Sequence, residues 1–207
     1  APTADSYITN ATPTIKFTVT DADSGVNSGT IAMKLDGTAV TVTKTAITGG
    51  YECSYKPTTA LKDGSHTISV TASDNDGNAA SAKTATFTVD TVPPTLTITA
   101  PAEGLVTNKT TITVTGKTDD ATSKPVTVTV NGAAATVGTD GFFSKDVTLT
   151  NGANKITIIA KDKAGKTTTI TRNVTLDTAA PVIKSITLTP NPVDCGKTFV
   201  IAVEITD

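Results

Sequence analysis

Val89-Asp90-Thr91-Val92-Pro93-Pro94-Thr95 separates two runs in which apolar and polar residues alternate, and it determines how this 207-residue chain is divided. The pattern returns 87 residues later as Leu176-Asp177-Thr178-Ala179-Ala180-Pro181-Val182. Alternation with a period of two predicts β-strands, and a boundary that recurs at this spacing predicts an array of small repeated domains. We therefore expect domains at residues 1–90 and 91–177, followed by a partial third unit or a two-stranded C-terminal module at residues 178–207.

Proline is common to these boundaries, and it restricts φ. We therefore expect the linkers to be short and stiff and to hold the domains nearly end to end. The opening residues Ala1-Pro2-Thr3 resemble Ala180-Pro181-Val182. This likeness predicts that the chain begins at another copy of the boundary, as a piece of a longer exported protein.

Each repeat contains about seven short strand patterns, separated by turn signals every 8–12 residues, which is typical of an immunoglobulin-like sandwich. The pairs Asp36-Gly37 and Asn131-Gly132 lie at matching places and are strong hairpin signals. No segment has the 3.6-residue period of an amphipathic helix, which argues against an α/β fold. The predicted fold class is all-β, with tandem immunoglobulin-like β-sandwiches joined by short linkers that contain proline.

Composition narrows the possible partners. The formal net charge of −2 and the absence of basic clusters argue against nucleic acid as a partner. No apolar run reaches the roughly 18–20 residues that a membrane span needs, so we expect no membrane insertion. Cys53 and Cys195 lie in different repeats, whereas a disulfide-dependent sandwich has a pair within one domain, so both are expected to be unpaired.

Catalytic residues are scarce. His66 is the only histidine and lies at the start of a predicted strand, where a structural role is expected. The glutamates Glu52, Glu103 and Glu204 fall in separate repeats and cannot form the carboxylate pair of a glycosidase. We therefore expect no enzymatic activity.

A calcium site is the sharpest binding hypothesis. In an immunoglobulin-like sandwich, the loops after the second and sixth strands share the end nearest the N-terminus. In the second repeat these loops contain Asp119, Asp120 and Asp162, and they face Asp90 at the exit of the first repeat. Carboxylate oxygens are the ligands that Ca²⁺ prefers. The alternative is that these aspartates serve only as turn formers.

Sugar recognition is the second binding hypothesis, because it requires exposed aromatic rings. The chain has no tryptophan, and Tyr51, Tyr55 and Phe143 fall at positions that predict core packing. Tyr7, near the N-terminus, is the least constrained ring. We therefore take Tyr7 as the candidate ligand-binding residue.

Residues 181–207 contain only two strand patterns. Phe199, Ile201, Val203 and Ile205 together form one apolar face. A two-stranded unit is marginal in water. We expect this face to be covered by the second domain, another protomer or additional strands.

Several motifs resemble known bacterial modules. Those of the second repeat resemble domain B of glucodextranase, a bacterial Ig-like domain: Asn131-Gly132, Asp140-Gly141-Phe142-Phe143, Asn151-Gly152-Ala153-Asn154-Lys155-Ile156 and Ala160-Lys161-Asp162-Lys163-Ala164-Gly165. The first repeat is similar to related modules through Leu61-Lys62-Asp63-Gly64-Ser65-His66 and Asp74-Asn75-Asp76-Gly77-Asn78. Pro190-Asn191-Pro192-Val193 with Gly196 resembles a short C-terminal module of tail proteins from phages of Gram-positive bacteria.

The resemblance implies an extracellular, cell-surface or virion-tail location. It implies a non-enzymatic spacer or attachment array in a phage tail or bacterial surface protein. The alternatives are an accessory carbohydrate-binding segment of an extracellular enzyme and a calcium-stiffened adhesin stalk. The expected partners are other domains or protomers of the same assembly, or a glycan or protein of the cell surface.

Overall fold

The structure is a computed structural model that describes residues 1–189, 195–196 and 200–206. All secondary-structure elements assigned among these residues are β-strands. None of the described residues forms a helix that is long and apolar enough to cross a membrane. The alternation of apolar and polar residues predicted these strands, and the all-β class is confirmed.

Eight strands form the first sandwich: β1 (Ser6–Ile8), β2 (Ile15–Thr20), β3 (Ala32–Leu35), β4 (Thr38–Val40), β5 (Thr43–Ile47), β6 (Gly50–Tyr55), β7 (Gly64–Thr71) and β8 (Lys83–Val89). One sheet has the strand order β1-β8-β7-β3-β4, and the other has the order β2-β6-β5. Met33, Phe87 and Val89 are almost fully buried between them. The inward-facing residue of each alternating pair therefore builds the core.

Nine strands form the second sandwich: β9 (Thr95–Ala100), β10 (Leu105–Thr107), β11 (Thr111–Asp119), β12 (Thr127–Val130), β13 (Ala133–Ala134), β14 (Thr136–Val137), β15 (Phe142–Thr148), β16 (Gly152–Lys161) and β17 (Thr167–Leu176). The sheets have the orders β10-β17-β16-β12-β13 and β14-β15-β11-β9. Val114, Ile156 and Ile158 are fully buried in its core.

Both predicted hairpin turns are present. Asp36 and Gly37 have φ values of 52° and 79°, and Asn131 and Gly132 have values of 48° and 81°. Positive φ at both central residues is the geometry of a tight turn that matches strand twist, and it is why glycine follows aspartate or asparagine here. The residues after the first turn are divided between the two sheets, because β4 pairs with β3 whereas β5 pairs with β6 in the opposite sheet.

Short strands near each sandwich's N-terminal end pair in parallel with its last strand, which the sequence did not predict. Ser6 of β1 lies opposite Phe87, and Leu105 of β10 lies opposite Val174. These equivalent registers align Ala1 with Ala100, the last residue of β9, and Pro2 with Pro101, the residue after it.

The two cysteines differ in their exposure to solvent. Both are free; Cys53 is fully buried, and Cys195 is exposed. Burial raises the pKa of the Cys53 thiol, an effect that the nearby Lys44 ammonium partly offsets. Because the thiolate is the nucleophile, we predict that Ellman's reagent titrates a single thiol in the native chain and the second only after denaturation. Rapid reaction of both thiols in the native chain would contradict this assignment.

A two-stranded hairpin follows the second sandwich, formed by β18 (Val182–Thr189) and β19 (Val200–Thr206). Many of its large apolar side chains are exposed to solvent. The exposed ones are Val182, Ile183, Ile186, Val200, Ile201, Val203 and Ile205. Phe199 and the motif at residues 190–193 lie outside the described residues.

Candidate metal centre at the interdomain junction

The linker between the two sandwiches makes hydrogen bonds to both of them. At the end of β8, the Asp90 N–H donates to the carbonyl oxygen of Ile8 at 2.9 Å. Thr91 donates its N–H and its hydroxyl to the Asp63 carboxylate, at 2.9 and 3.0 Å. Pro94 is buried, and its carbonyl accepts a hydrogen bond from the Thr168 hydroxyl of the second sandwich. These contacts give Asp90 a defined position against the next domain.

Asp120 enters the junction from the loop after β11. One of its carboxylate oxygens, Oδ1, accepts hydrogen bonds from the N–H groups of Thr122 at 2.8 Å and Ser123 at 2.7 Å. Such a bond from a carboxylate to the backbone of following residues closes a tight turn. The turn buries Asp120, which is only 6% exposed.

Asp162 enters from the loop after β16. Its Oδ1 accepts a hydrogen bond from the Lys166 N–H at 2.9 Å. The neighbouring Lys163 N–H donates to the Ser123 carbonyl at 3.3 Å, which ties this loop to the loop of Asp120. Both loops therefore present their carboxylates on the side that faces Asp90.

Asp90, Asp120 and Asp162 converge at this seam. One oxygen from each carboxylate lies within 4.8 Å of the others, and all three residues are buried. Asp90 Oδ2 and Asp162 Oδ2 have no hydrogen-bond partner among the described residues. The buried hydroxyl of Ser123 also has no partner there. In each of the three carboxylates, Oδ1 accepts a hydrogen bond from a backbone N–H of the same loop. At least two buried oxygens are thus left for another ligand.

The charges of this group need compensation. At an effective dielectric constant of about 20, two carboxylates less than 5 Å apart repel by about 3 kcal/mol or more. None of the ion pairs found in the described part of the chain involves these three aspartates. Buried charges in proteins are paired or coordinate a metal ion. The arrangement therefore favours a bound cation.

The donor set fits calcium. Calcium binds oxygen ligands at about 2.3–2.6 Å, so two ligands on opposite sides of the ion are about 4.6–5.2 Å apart. The 4.8 Å limit of the cluster is compatible with that span. The cluster contains neither histidine nor cysteine, the ligands that characterise structural zinc sites.

Asp119 lies outside the group, although the sequence placed it among the ligands. Its side chain is 60% exposed and pairs with Lys124 at 2.8 Å. The hydrogen bond from Lys124 lowers the pKa of the Asp119 carboxyl. Successive residues of a strand face opposite sides, so Thr118 and Asp120 point inward and Asp119 points to solvent.

Tyr7 also lies at the junction and is not an exposed platform. It is half-buried in β1, opposite Thr88. The Lys163 ammonium lies 5.2 Å from the centroid of its ring, a cation–π contact across the seam. The Lys163 ammonium therefore lies over one face of the ring that the sequence offered for ligand binding.

His66 has a structural environment. Its Nδ1 lies 2.7 Å from Asp36 Oδ2, and its Nε2 lies 2.8 Å from the Lys62 carbonyl oxygen. The ring also packs against Phe87, with centroids 5.4 Å apart. Both ring nitrogens are thus engaged by acceptors and are not available to a substrate.

The two sandwiches match two family profiles. Residues 1–91 match the profile described as a bacterial Ig-like domain, and residues 94–178 match glucodextranase domain B. The chain is a tandem of bacterial Ig-like domains. We refer to the two sandwiches as Ig-like domains 1 and 2. Families of this kind are generally non-catalytic modules and are typical of extracellular proteins.

Solved structures share this tandem architecture. Fibronectin(III)-like modules of CbhA from Clostridium thermocellum superpose with a TM-score of 0.50 and 18% identity, covering 86% of this chain and 92% of theirs. A three-domain titin fragment gives a TM-score of 0.52 and 11% identity, covering 88% of this chain and 65% of the fragment. Identities this low show the fold alone, and they confirm the predicted class of tandem Ig-like sandwiches.

A curated relative is bacillopeptidase F of Bacillus subtilis (strain 168), with 33% identity over 126 residues. The match covers 61% of this chain and 9% of the relative. The Ig-like tandem therefore corresponds to a small part of that protein.

Proposed function

We propose that this tandem is a non-enzymatic spacer of an extracellular phage tail or bacterial surface protein, in which a bound calcium ion stiffens the junction between the two Ig-like domains. The spacer sets the distance between the segments on either side of it. Its partners are other domains or protomers of the same assembly. The families and folds that it resembles support a structural or accessory role.

The observation that carries this proposal is the buried carboxylate group at the junction. Asp90 belongs to the end of domain 1, whereas Asp120 and Asp162 belong to loops of domain 2. An ion bound to all three would join the domains directly. Removing the ion would leave three negative charges buried together, and their repulsion would favour separation of the domains.

Calcium binding and junction stiffness can be measured on the same sample. Isothermal titration calorimetry on chelator-treated chain is expected to give one calcium site per chain, with weaker binding of magnesium, which demands shorter, near-octahedral coordination. Small-angle X-ray scattering is expected to show a narrower distribution of interdomain distances when calcium is added. Absence of calcium binding at millimolar concentration would refute the metal centre. Binding without any change in the scattering would refute the stiffening role.

A further inference from the structure

Ser123 is a fully buried polar residue whose side chain has no role in the fold described so far. Its exposed fraction is 0%, and its hydroxyl has no hydrogen-bond partner among the described residues. A buried hydroxyl is normally paired, because burial without a partner costs stability. The position of this hydroxyl therefore needs an explanation.

The backbone of Ser123 joins the two loops that carry the carboxylates of domain 2. Its N–H donates to Asp120 Oδ1 at 2.7 Å, and its carbonyl accepts the Lys163 N–H at 3.3 Å. Lys163 directly follows Asp162. The hydroxyl oxygen is joined to the Ser123 nitrogen through only the α- and β-carbons, so it lies close to the Asp120 carboxylate. Both loops therefore hold this hydroxyl beside the carboxylate group.

The contact between the loops does not itself require a hydroxyl. In domain 1, the loops after β2 and β7 make the same contact through Gly25, whose carbonyl accepts the Asn75 N–H at 3.0 Å. Asn75 directly follows an aspartate, as Lys163 does, and in both domains the N–H of that aspartate donates to a carbonyl four residues later. A residue without a side chain thus occupies the place of Ser123. The hydroxyl serves a purpose other than shaping the loops.

The unpaired buried oxygens of the described chain meet at this junction. They are Asp90 Oδ2, Asp162 Oδ2 and Ser123 Oγ. The described residues contain only one further buried side-chain N or O atom without a partner, the Nε of Arg172. The hydroxyl donates to neither carboxylate oxygen. All three oxygens are therefore left for one common ligand.

We propose that Ser123 Oγ is a fourth oxygen ligand for calcium, together with one oxygen from each of Asp90, Asp120 and Asp162. This inference rests on the calcium-bound junction proposed above. The hydroxyl oxygen has lone pairs and binds the ion without adding charge. A fourth carboxylate would instead increase the repulsion in the calcium-free chain. Calcium takes roughly six to eight oxygen ligands, so water and backbone carbonyl oxygens complete the set.

The first test compares Ser123→Ala with the wild-type chain by isothermal titration calorimetry. We expect one calcium site in both chains, with a dissociation constant about tenfold higher in the variant. A loss of this size is typical even of residues that only orient metal ligands.

The second test counts the water molecules on the bound ion. Tb³⁺ resembles calcium in size and in its preference for oxygen, and its luminescence lifetimes in H₂O and D₂O report how many water molecules it binds. We expect one more bound water molecule in Ser123→Ala than in the wild type, because water takes the place of the missing hydroxyl.

Thr122→Ala is the matched control. The Thr122 N–H donates to the same Asp120 oxygen at 2.8 Å, but its side chain is only half-buried. We expect this variant to keep the calcium affinity and the water count of the wild type. In chelator, Ser123→Ala should melt at the wild-type temperature or above it, since the substitution removes an unpaired buried hydroxyl.

The outcomes separate this inference from the calcium site itself. Unchanged affinity or an unchanged water count in Ser123→Ala would overturn the role of the hydroxyl and leave a site of three carboxylates. An equal loss of affinity in Thr122→Ala would overturn it too, because the loop would then determine binding. So would a lower melting temperature of Ser123→Ala in chelator, which would show that the hydroxyl has a structural partner. A wild-type chain that binds no calcium would refute the metal centre and this inference together.

Discussion

Replacing Asp90 with Asn is expected to raise the melting temperature of the calcium-free chain and to abolish the further rise that calcium produces. The amide retains an oxygen that can accept the Val92 N–H, as Asp90 Oδ1 does at 3.2 Å. It removes one of three charges that repel one another at the junction. The same change removes an anionic calcium ligand, so a single substitution acts in opposite directions with and without the ion.

The expected size follows from linkage between binding and folding. Calcium at about 100 times its dissociation constant stabilises the state that binds it by about 2.7 kcal/mol. For a chain of this length, that corresponds to a rise in melting temperature of roughly 5–10 °C in the wild type. Differential scanning calorimetry in calcium and in chelator measures both halves of the prediction for the wild type and the variant.

Asp177→Asn is the matched control. The Asp177 N–H donates to the Thr107 carbonyl, and its Oδ1 accepts the Ala179 N–H at 2.9 Å, so its local role copies that of Asp90. Within the described residues it does not belong to the carboxylate group. We expect this variant to keep the calcium-induced rise, and Asp119→Asn to keep it as well. A calcium response that survives Asp90→Asn would rule out the proposed ligand set.

Ile156→Ala is expected to destabilise Ig-like domain 2 by about 2–5 kcal/mol. Ile156 is fully buried between the two sheets, so truncation removes apolar contacts and leaves a cavity in a rigid core. Ile68→Ala changes the matched position of domain 1, because Ile68 follows the start of β7 at the same distance as Ile156 follows the start of β16. The Ile68 side chain is only partly buried. We expect a smaller loss there, about 1–2 kcal/mol, because part of that side chain already contacts solvent.

Calorimetry separates these two effects, because a tandem of domains need not unfold in a single transition. Ile156→Ala should lower the transition of domain 2, and Ile68→Ala should lower that of domain 1 by less. Equal losses at the two positions would mean that the partial exposure of Ile68 does not reduce its contribution to the stability of domain 1.

The elements that local sequence determines were predictable. Alternation identified most of the long strands, and Asp36-Gly37 and Asn131-Gly132 identified the hairpins, since backbone geometry at a turn depends on the residues in it. The convergence of Asp90 with Asp120 and Asp162 followed from the order of loops in an Ig-like sandwich. The choice between Asp119 and Asp120 required the point at which β11 ends, which sequence leaves uncertain by a residue or more.

Features that depend on distant pairing were not predictable. β1 has three residues, too few for a period of two to stand out, and it is held by parallel pairing to a strand about eighty residues away. The cation–π contact between Lys163 and Tyr7 joins side chains from two domains.

The parallel pairs β1–β8 and β10–β17 determine how the chain would carry tension. In each pair the two strands point the same way, with one strand near the entry of its domain and the other at the exit. Pulling the ends of the array apart draws the paired strands in opposite directions along their axes. The hydrogen bonds between them are then strained together in shear instead of opening one after another from an end, and forced unfolding is governed by the rate of that first rupture.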